Sequence, residues 1–545
     1  MSRTLHRALQ CGRACRTRKH LHHSNVNLNG YRYASTAAND SKPPEHIAVL
    51  GGGISGLTAA FHLGRRFPDT RITLLEAGSR QGGWIQTDTV DLGPQYGKVV
   101  LEAGPRTLRP VSKPLLELVN LLGLQDELVL TSKTAPAAKN RYICLSKPDG
   151  DGLKVLPSSP LNLFVSPFFF TLLSSILVER YWPANRPQPI QVPEEERAAK
   201  ALQMKVYDDE SVDSFLTRRF GAKAARLFGS SLVHGVYAGD SRLLSVRSSF
   251  PSLWEAEDRG KGSVITGIVR SRKDGSSKVE EVYDMGDVTQ TMKDVSVFSF
   301  KDGIAALPMA LSKRLDTMPS VQSRLSSGVA SLEPQEEGVK IHLLDGNTVS
   351  ASHVVSALPL PKLDSLLQQN PLPHLKYNPS TTVTVVNLVF PCAPSDLHPA
   401  GFGYLVPRPA DGYESATGLG ILGTVFDSCA LSAQDRAGSQ PITKLTVMCG
   451  GPYHASSFSV EALVDELFRH LRRPKITPIH VGVHKQVDCI PLPLVGHLDR
   501  MSEVQRILAE RPWNGRLSVI GAGVSGAGIS DCVKAAREAA LGFTS

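Results

Sequence analysis

The hydrophobic pattern near the start of the chain predicts a strand, a helix and a second strand in close succession. An apolar run at 46–50 (HIAVL) leads into a glycine-rich turn and a helical pattern, and a second apolar run follows at 71–75 (RITLL). Strands that alternate with helices in this way form parallel pairs, with the helix packed across them. The pattern therefore predicts a βαβ unit between residues 45 and about 115.

The turn after the first strand has glycines where a bound pyrophosphate would need them. Gly51 allows a tight turn, Gly53 lets backbone N–H groups approach a phosphate, and Gly56 lets the helix pack closely on the sheet. The helix N-terminus itself favours an anion. Glu76 ends the second strand, where its carboxylate can accept hydrogen bonds from both hydroxyls of a ribose. A lone glycine motif is weak evidence, but both strands, the helix and the acid are in register, which predicts a dinucleotide site.

A second glycine-rich turn favours FAD over NAD. Arg80, Gly82 and Gly83 follow the acid in the stretch AGSRQGGWIQT. NAD enzymes have no general need for such a turn, whereas many flavoproteins use one to pass the chain along FAD.

The end of the chain repeats the order strand, glycine turn, helix. Gly521, Gly523 and Gly526 resemble the first motif, but about twenty residues follow, which is too few for a second strand and acid. The segment is therefore predicted to return to the first domain. A helix N-terminus at 527–529 would face the flavin pyrimidine and stabilise negative charge there. The alternative is a strand–helix packing joint that binds no ligand.

The apolar stretch 156–178 leaves two interpretations open. It carries no charge, but Pro157, Pro160 and Pro167 interrupt it, and a membrane span needs about twenty unbroken apolar residues. It is either a buried helical hairpin that covers an apolar pocket or a monotopic surface that enters one leaflet.

Strand patterns dominate the second half of the chain. Short alternating runs at 329–359 predict a β-meander on the nucleotide domain, and runs between 380 and 490 predict a β-rich substrate domain. Residues 181–210 and 271–293 are rich in Pro, Gly and charge, which predicts surface insertions without assignable chemistry.

Length and composition are typical of a globular protein of two or three domains, with 545 residues, 41% hydrophobic and 20% charged. The net charge is +9, but residues 1–38 carry seven Lys and Arg and no acid. The remaining charge of about +2 gives no case for a nucleic-acid-binding face. The basic leader is typical of a mitochondrial transit peptide, and the alternative is a disordered basic tail that carries no targeting signal.

The eight cysteines are scattered, with no C-x-x-C pair, and no histidine cluster has metal-ligand spacing. We therefore expect neither structural disulfides nor a metal site. This usage fits a reducing compartment, with cysteines as small buried hydrophobes.

Seven ordered motifs carry a resemblance that runs from about residue 45 to 545. They are GGWI at 82–85, EAGPRTLRP at 102–110, NRY at 140–142, GVYAGD at 235–240, GFGYLVP at 401–407, CIPLPLVGH at 489–497 and GISDCV at 528–533. Together they resemble the flavin amine-oxidase superfamily and, within it, the enzymes that oxidise porphyrinogens.

The resemblance implies an α/β fold with a Rossmann-type FAD-binding domain, a β-rich substrate domain and a helical membrane-associating domain. The expected boundaries are 1–38 for the transit peptide, 45–115, 297–362 and 485–545 for the FAD-binding domain, 116–155, 235–296 and 363–484 for the substrate domain, and 156–234 for the helical domain.

The implied activity is oxygen-dependent oxidation of protoporphyrinogen IX to protoporphyrin IX, the step before iron insertion in haem biosynthesis. Non-covalent FAD would accept two electrons in each of three cycles, and three O₂ would become three H₂O₂. A hydride would leave a meso carbon of the substrate, so no strong general base is demanded and no catalytic residue is assigned.

The resemblance also implies a set of site residues. The FAD contacts would be Gly51, Gly52, Gly53, Ile54, Ser55, Gly56, Glu76, Ala77, Trp84, Gly104, Pro105, Arg106, Thr107, Val321, Tyr453, Ala527, Gly528 and Ile529. The substrate contacts would be Arg141, which pairs with a propionate, and Phe402, Gly403 and Leu405, which line the macrocycle.

Three of these assignments are open. Tyr453 stands where relatives have Trp, and Val321 aligns only loosely with an adenine-side position. Arg106 is either an electrostatic support for the flavin or a helix-capping arginine.

The resemblance further implies a peripheral protein on the intermembrane-space side of the mitochondrial inner membrane. It implies a homodimer that meets the next haem-pathway enzyme, and no nucleic acid is expected as a partner.

Three other protein classes fit the motifs less well. An amine or polyamine oxidase commonly has an aromatic cage near the last glycine motif, but Trp513 is the only aromatic residue just before that motif here. A monoamine oxidase has a cysteine before the motif that tethers the flavin, and this sequence has no cysteine at that position. A carotenoid-type desaturase would lack GVYAGD and NRY. A non-enzymatic flavin-fold scaffold could have lost Glu76 or Arg141, and both are present.

Overall fold

A computed structural model describes residues 43–157, 179, 208–271, 282–414, 418–453 and 458–543. The predicted transit peptide and nearly all of the apolar stretch 156–178 lie outside these residues. Within the described part, no helix is long and apolar enough to cross a membrane.

The strands in chain order are β1 His46–Leu50, β2 Arg71–Leu75, β3 Thr87–Asp91, β4 Gly97–Glu102, β5 Leu128–Ser132, β6 Tyr142–Leu145, β7 Gly152–Val155, β8 Val295–Phe300, β9 Val321–Arg324, β10 Val329–Gln335, β11 Gly338–Leu343, β12 Thr348–Ala351, β13 His353–Ser356, β14 Ser380–Phe390, β15 Gly403–Leu405, β16 Ile421–Val425, β17 Arg436–Ala437, β18 Thr443–Gly450, β19 His480–Pro491 and β20 Leu517–Val519.

The longer described helices are α1 Ile54–Arg66, α2 Lys113–Leu121, α3 Val212–Phe220, α4 Ser230–Tyr237, α5 Pro251–Arg259, α6 Val264–Ser271, α7 Ala306–Asp316, α8 Val460–Leu471, α9 His497–Ala509 and α10 Ile529–Leu541. Shorter helical segments lie at Gly93–Tyr96, Gln125–Glu127, Pro136–Lys139, Ala222–Ala224, Ala225–Gly229, Val246–Ser249, Val288–Thr291, Leu360–Leu366, Leu375–Tyr377, Pro394–Leu397, Asp427–Ala430, Ser432–Gln434 and Ala522–Ser525.

A five-stranded parallel sheet in the order β20-β13-β1-β2-β9 is built from three separated stretches of the chain. Every residue of β1 is buried, which explains its unbroken apolar run, because parallel strands are covered on both faces. Helix α1 packs on this sheet and against α7 and α10. The α/β fold class predicted from the sequence is confirmed.

The second large sheet has seven strands in the order β19-β14-β18-β16-β15-β6-β7. Its pairs are antiparallel except β6 with β15, which run parallel. Helix α8 contributes Leu467 and Phe468 to the core beneath this sheet. Its start is capped by Ser459, whose Oγ accepts a hydrogen bond from the Ala462 N–H.

Polar contacts join β4, which pairs with β3 and β17 in a three-stranded sheet, to the seven-stranded sheet. Asn387 of β14 donates a hydrogen bond to the Glu102 carbonyl at 3.1 Å, and Gln486 of β19 donates to the Ala103 carbonyl at 3.0 Å. The end of β4 is therefore held against the seven-stranded sheet.

The described end of the predicted surface insertion 271–293 is mostly exposed, but two of its residues are buried in the core. Residues 272–281 lie outside the described structure, but Val288 and Met292 are buried in the same core as helix α2. Val288 and Met292 are four positions apart, with only polar residues between them. So short a segment gives little periodic signal, and the hydrophobic pattern therefore did not identify the two residues as buried.

Candidate active site

The turn after β1 has the conformation that its glycines permit. Gly51 adopts a left-handed φ of +97°, which side chains rarely tolerate. A Cβ on Gly56 would fall 1.9 Å from the Gly51 carbonyl oxygen, so only glycine lets the helix start this close to the turn. A Cβ on Gly53 would meet no protein atom within 4 Å. Gly53 therefore faces an open space at the N-terminus of α1.

Glu76 closes one side of this turn. Its carboxylate accepts hydrogen bonds from the Gly52 N–H at 2.6 Å and from the Gly78 N–H at 2.7 Å. Ala77 follows as an exposed residue. The acid thus lies at the carboxyl edge of the parallel sheet, where ligands of such sheets bind.

Three glycines from separate segments meet around the open space. A Cβ on Gly83 would lie 3.3 Å from the Cα of Gly53, and one on Gly104 would lie 3.3 Å from the Trp84 carbonyl oxygen. The guanidinium of Arg80 orders the second turn by donating to the Gly83 carbonyl at 2.6 Å. Backbone without side chains therefore lines part of this space, and Trp84, which is 38% exposed, directly follows Gly83.

The C-terminal segment returns to the first turn. A Cβ on Gly521 would lie 3.8 Å from Ser55 Oγ, and Gly528 is the residue before helix α10. Asp531 occupies the first turn of α10, where burial raises the pKa of its carboxyl although the Gly528 backbone hydrogen bond opposes the shift. The helix N-terminus therefore carries an acid as well as its positive dipole.

Arg106 is buried and fully engaged. It pairs with Asp427 at 3.1 Å and donates to the Gly104 carbonyl at 3.1 Å. Thr446 donates its hydroxyl to the same Asp427 carboxylate at 2.6 Å. Arg106 thus ties the Gly104–Thr107 loop to the seven-stranded sheet.

Arg141 and Phe402 lie together because β6 and β15 are parallel neighbours. The Arg141 guanidinium carbon is 5.7 Å from the centre of the Phe402 ring. Gly403 has a φ of +142° and no room for a Cβ, which would fall 2.2 Å from the Thr424 carbonyl oxygen. The side chain of Leu405 fills the space against Gly235 of helix α4.

Tyr453 belongs to a cluster with His234 and Tyr413. Its ring is 5.0 Å from that of Tyr413 and 6.0 Å from that of His234. Burial lowers the pKa of His234 to about 4, so its ring is neutral at physiological pH. Nδ1 must donate to the Val406 carbonyl, and Nε2 then accepts from the Tyr413 hydroxyl at 2.7 Å.

Val321 is not at the carboxyl edge. It opens β9, pairs with Ile72 and contacts Gly64 of α1, one strand length away from Glu76. At the other end of β9 the Arg324 carbonyl accepts from the Glu76 N–H at 2.9 Å. Just after the strand, the Ser327 N–H donates to the Glu76 carbonyl at 2.8 Å and the Ser326 N–H to the Gly78 carbonyl at 2.9 Å.

The sequence profile of the flavin containing amine oxidoreductases matches residues 54–541. The chain belongs to this family.

Relatives within the flavin amine oxidoreductase family cover nearly the whole chain. Protoporphyrinogen oxidase of Macaca fascicularis is 33% identical over 91% of this chain and 97% of its own. Protoporphyrinogen oxidase of Schizosaccharomyces pombe is 31% identical over 89% of this chain and 96% of its own.

Solved structures show the same fold. A protein of Exiguobacterium sp. 255-15, provisionally assigned as a protoporphyrinogen oxidase, has a TM-score of 0.67, with 21% identity, 91% of this chain and 98% of that chain covered. Cyclohexylamine oxidase of Brevibacterium oxydans has a TM-score of 0.58, with 16% identity, 92% of this chain and 98% of that chain covered.

The cofactor of this family is FAD, and the residues present fit it. A Cβ on Gly53 would meet no protein atom within 4 Å, so the backbone here is open to the close approach of a pyrophosphate. Glu76 lies beside that space at the strand edge, where the ribose of a dinucleotide binds.

Sequence reasoning missed Asp427, Ser326 and Ser327. Asp427 lies 321 residues after Arg106, and no local motif links an acid to an arginine at that distance. The two serines follow an edge strand whose end was not located from the pattern.

Proposed function

We propose that this enzyme oxidises protoporphyrinogen IX to protoporphyrin IX with FAD and O₂ in haem biosynthesis. The observation that carries the proposal is the match over nine-tenths of the chain to relatives that bear the name protoporphyrinogen oxidase. A fold shared with amine oxidases would by itself leave the substrate open.

The chemistry of the bound cofactor is two-electron oxidation of a carbon centre followed by reduction of O₂ to H₂O₂. Three such cycles remove six electrons and six hydrogens from the macrocycle and consume three O₂. The task of the chain is to hold a flat apolar substrate against the cofactor. The proposal assigns no catalytic base, because hydride transfer does not demand one.

The proposed roles follow the positions described above. Gly51–Gly56 and Glu76 hold the pyrophosphate and ribose, and the start of α10 faces the flavin ring. Arg141 pairs with a propionate carboxylate of the substrate, and Phe402 and Leu405 contact its macrocycle. The contact of Arg141 with the Phe402 ring supports this part, because it places a cation beside an aromatic face.

Location and assembly are proposed from the sequence. The acid-free basic leader supports import into mitochondria, and the apolar stretch 156–178 supports peripheral attachment to the inner membrane from the intermembrane space. A homodimer and an encounter with the enzyme that uses protoporphyrin IX complete the proposal. The domain boundaries given above are proposed on the same basis.

The test uses the full chain in mild detergent with freshly reduced protoporphyrinogen IX. Porphyrin fluorescence is followed in air against a no-enzyme control, with coproporphyrinogen and spermine in parallel. We expect a rapid, FAD-dependent rise with protoporphyrinogen. No rise above autoxidation, together with a flavin that spermine bleaches, would instead identify an amine oxidase.

A further inference from the structure

A cleft of about 640 Å³ opens beside Arg141 and combines positive charge with an apolar floor. Leu116, Met292 and Val295 contribute to the floor, and none of the described residues that line the cleft is acidic. The cations in the lining are Arg109, Lys133, Arg141 and Lys293. Such a surface suits an amphiphilic anion better than a fully solvated one, because the floor can bury apolar area.

None of these four cations has a carboxylate partner among the described residues. The Lys133 ammonium donates to the Lys293 carbonyl at 2.6 Å. In the described structure, the guanidinium groups of Arg109 and Arg141 have neither a hydrogen-bond acceptor nor a carboxylate partner. Partial burial, and then the nearby charge of Arg109, lower the pKa of Arg141. Two like charges this close without a counter-ion are stabilised when an anion binds between them.

The two arginines reach the cleft from different layers of the fold. Arg109 follows Leu108, whose backbone exchanges two hydrogen bonds of 2.8 Å with Phe298, so the loop is anchored just before the arginine. Arg141 directly precedes β6 of the seven-stranded sheet and contacts Phe402. The loop that carries Arg109 begins at Gly104, which lies beside the flavin space. Arg141 is therefore shared by the cleft and the proposed substrate position.

We propose that Arg109 and Arg141 form a two-arginine clamp that binds the two carboxylates on one edge of the substrate macrocycle. The proposal rests on the proposed function and deepens it, since Arg141 alone was expected to pair with a propionate. Protoporphyrinogen IX carries its two propionates on adjacent rings, so both project from the same side. Each guanidinium can bind one carboxylate through two parallel N–H donors, and the apolar floor contacts the neighbouring ring edge.

The test compares free-acid and esterified ligands. Arg109→Met and Arg109→Lys are prepared as FAD-loaded full-length protein, with Arg473→Met as a control that removes an exposed arginine elsewhere. We expect Arg109→Met to raise KM for protoporphyrinogen IX about tenfold with kcat retained, and Arg109→Lys to restore part of the loss. KM for the dimethyl ester should be the same in the variant and the wild type, because an ester carries no charge.

A binding measurement separates the clamp from the reaction. Quenching of porphyrin fluorescence gives the Kd of protoporphyrin IX and of its dimethyl ester without turnover. Tighter binding of the free acid by wild type, lost in Arg109→Met, supports the clamp even in a preparation that oxidises no porphyrinogen. Equal Kd values for acid and ester in the wild type, or an equal loss of both in Arg109→Met, would overturn it. The wild-type comparison needs no variant to fold.

Discussion

The guanidinium of Arg106 and the carboxylate of Asp427 form a buried ion pair, with 3.1 Å between Nη1 and Oδ1. The arginine belongs to the loop beside the flavin space, and the aspartate begins the short helical segment that follows β16 of the seven-stranded sheet. Thr446 donates to the carboxylate and the Gly104 carbonyl accepts from the arginine, so both charges are satisfied. The pair fixes the position of the flavin loop relative to the substrate sheet.

Asp427→Asn should therefore destabilise the protein strongly. Removal of one charge leaves the other buried without compensation, which typically costs about 3–5 kcal/mol. Thermal unfolding of the FAD-loaded protein measures the loss. The matched control is Lys98→Met, which breaks an exposed pair with Asp91 and should leave the melting temperature unchanged. Equal melting temperatures for Asp427→Asn and wild type would remove the pair from the structural role given to it.

Gly53→Val should abolish FAD binding but preserve the fold. The new Cβ meets no protein atom within 4 Å, and the side chain would extend into the pyrophosphate position. The ratio of flavin to protein absorbance measures occupancy, and circular dichroism reports the fold. Gly56→Ala should behave differently, because its Cβ would collide with the Gly51 carbonyl and destabilise the protein itself. A Gly53→Val protein that purifies with a full complement of FAD would refute the placement.

Glu102 should make the stability depend on pH. Its carboxyl is buried and its pKa is raised from 4.5 to about 7, mainly because burial disfavours the charged form. The folded state therefore holds the proton more tightly than the unfolded state. The stabilisation is complete below pH 4.5 and is lost as the pH rises to 7, by up to about 3 kcal/mol.

Glu102→Gln is the variant that isolates this effect. The amide stays neutral, so unfolding free energies measured at pH 5 and pH 8 should differ less in the variant than in the wild type. The same pH dependence in both proteins would show that Glu102 does not titrate in this range.

Tyr413→Phe should destabilise the protein by about 1–3 kcal/mol, because the buried Nε2 of His234 loses the hydrogen bond that the Tyr413 hydroxyl donates. Denaturant unfolding measures the change. Tyr377→Phe is the matched control, since that ring is 36% exposed and should be neutral. If both variants unfold at the same denaturant concentration, the hydrogen bond contributes nothing measurable.

Local sequence determined the dinucleotide half of the site. A strand, a glycine turn and a helix of fixed spacing fold into one βαβ unit, so the spacing alone locates Gly51, Gly53, Gly56 and Glu76. The backbone conformations at Gly51 and Gly56 agree with the roles that the spacing predicts, because those roles depend on neighbours within the same turn.

Tertiary structure alone decided the pairings between distant segments. Arg106 pairs with Asp427, which lies 321 residues later in the sequence. Arg109 and Arg141 line the same cleft only because the loop after β4 and the start of β6 both border it. Lys293 lines that cleft although its segment was predicted to be an insertion without chemistry. Motif spacing records contacts within one supersecondary unit, whereas long-range contacts depend on how whole sheets pack, which no single stretch of the sequence encodes.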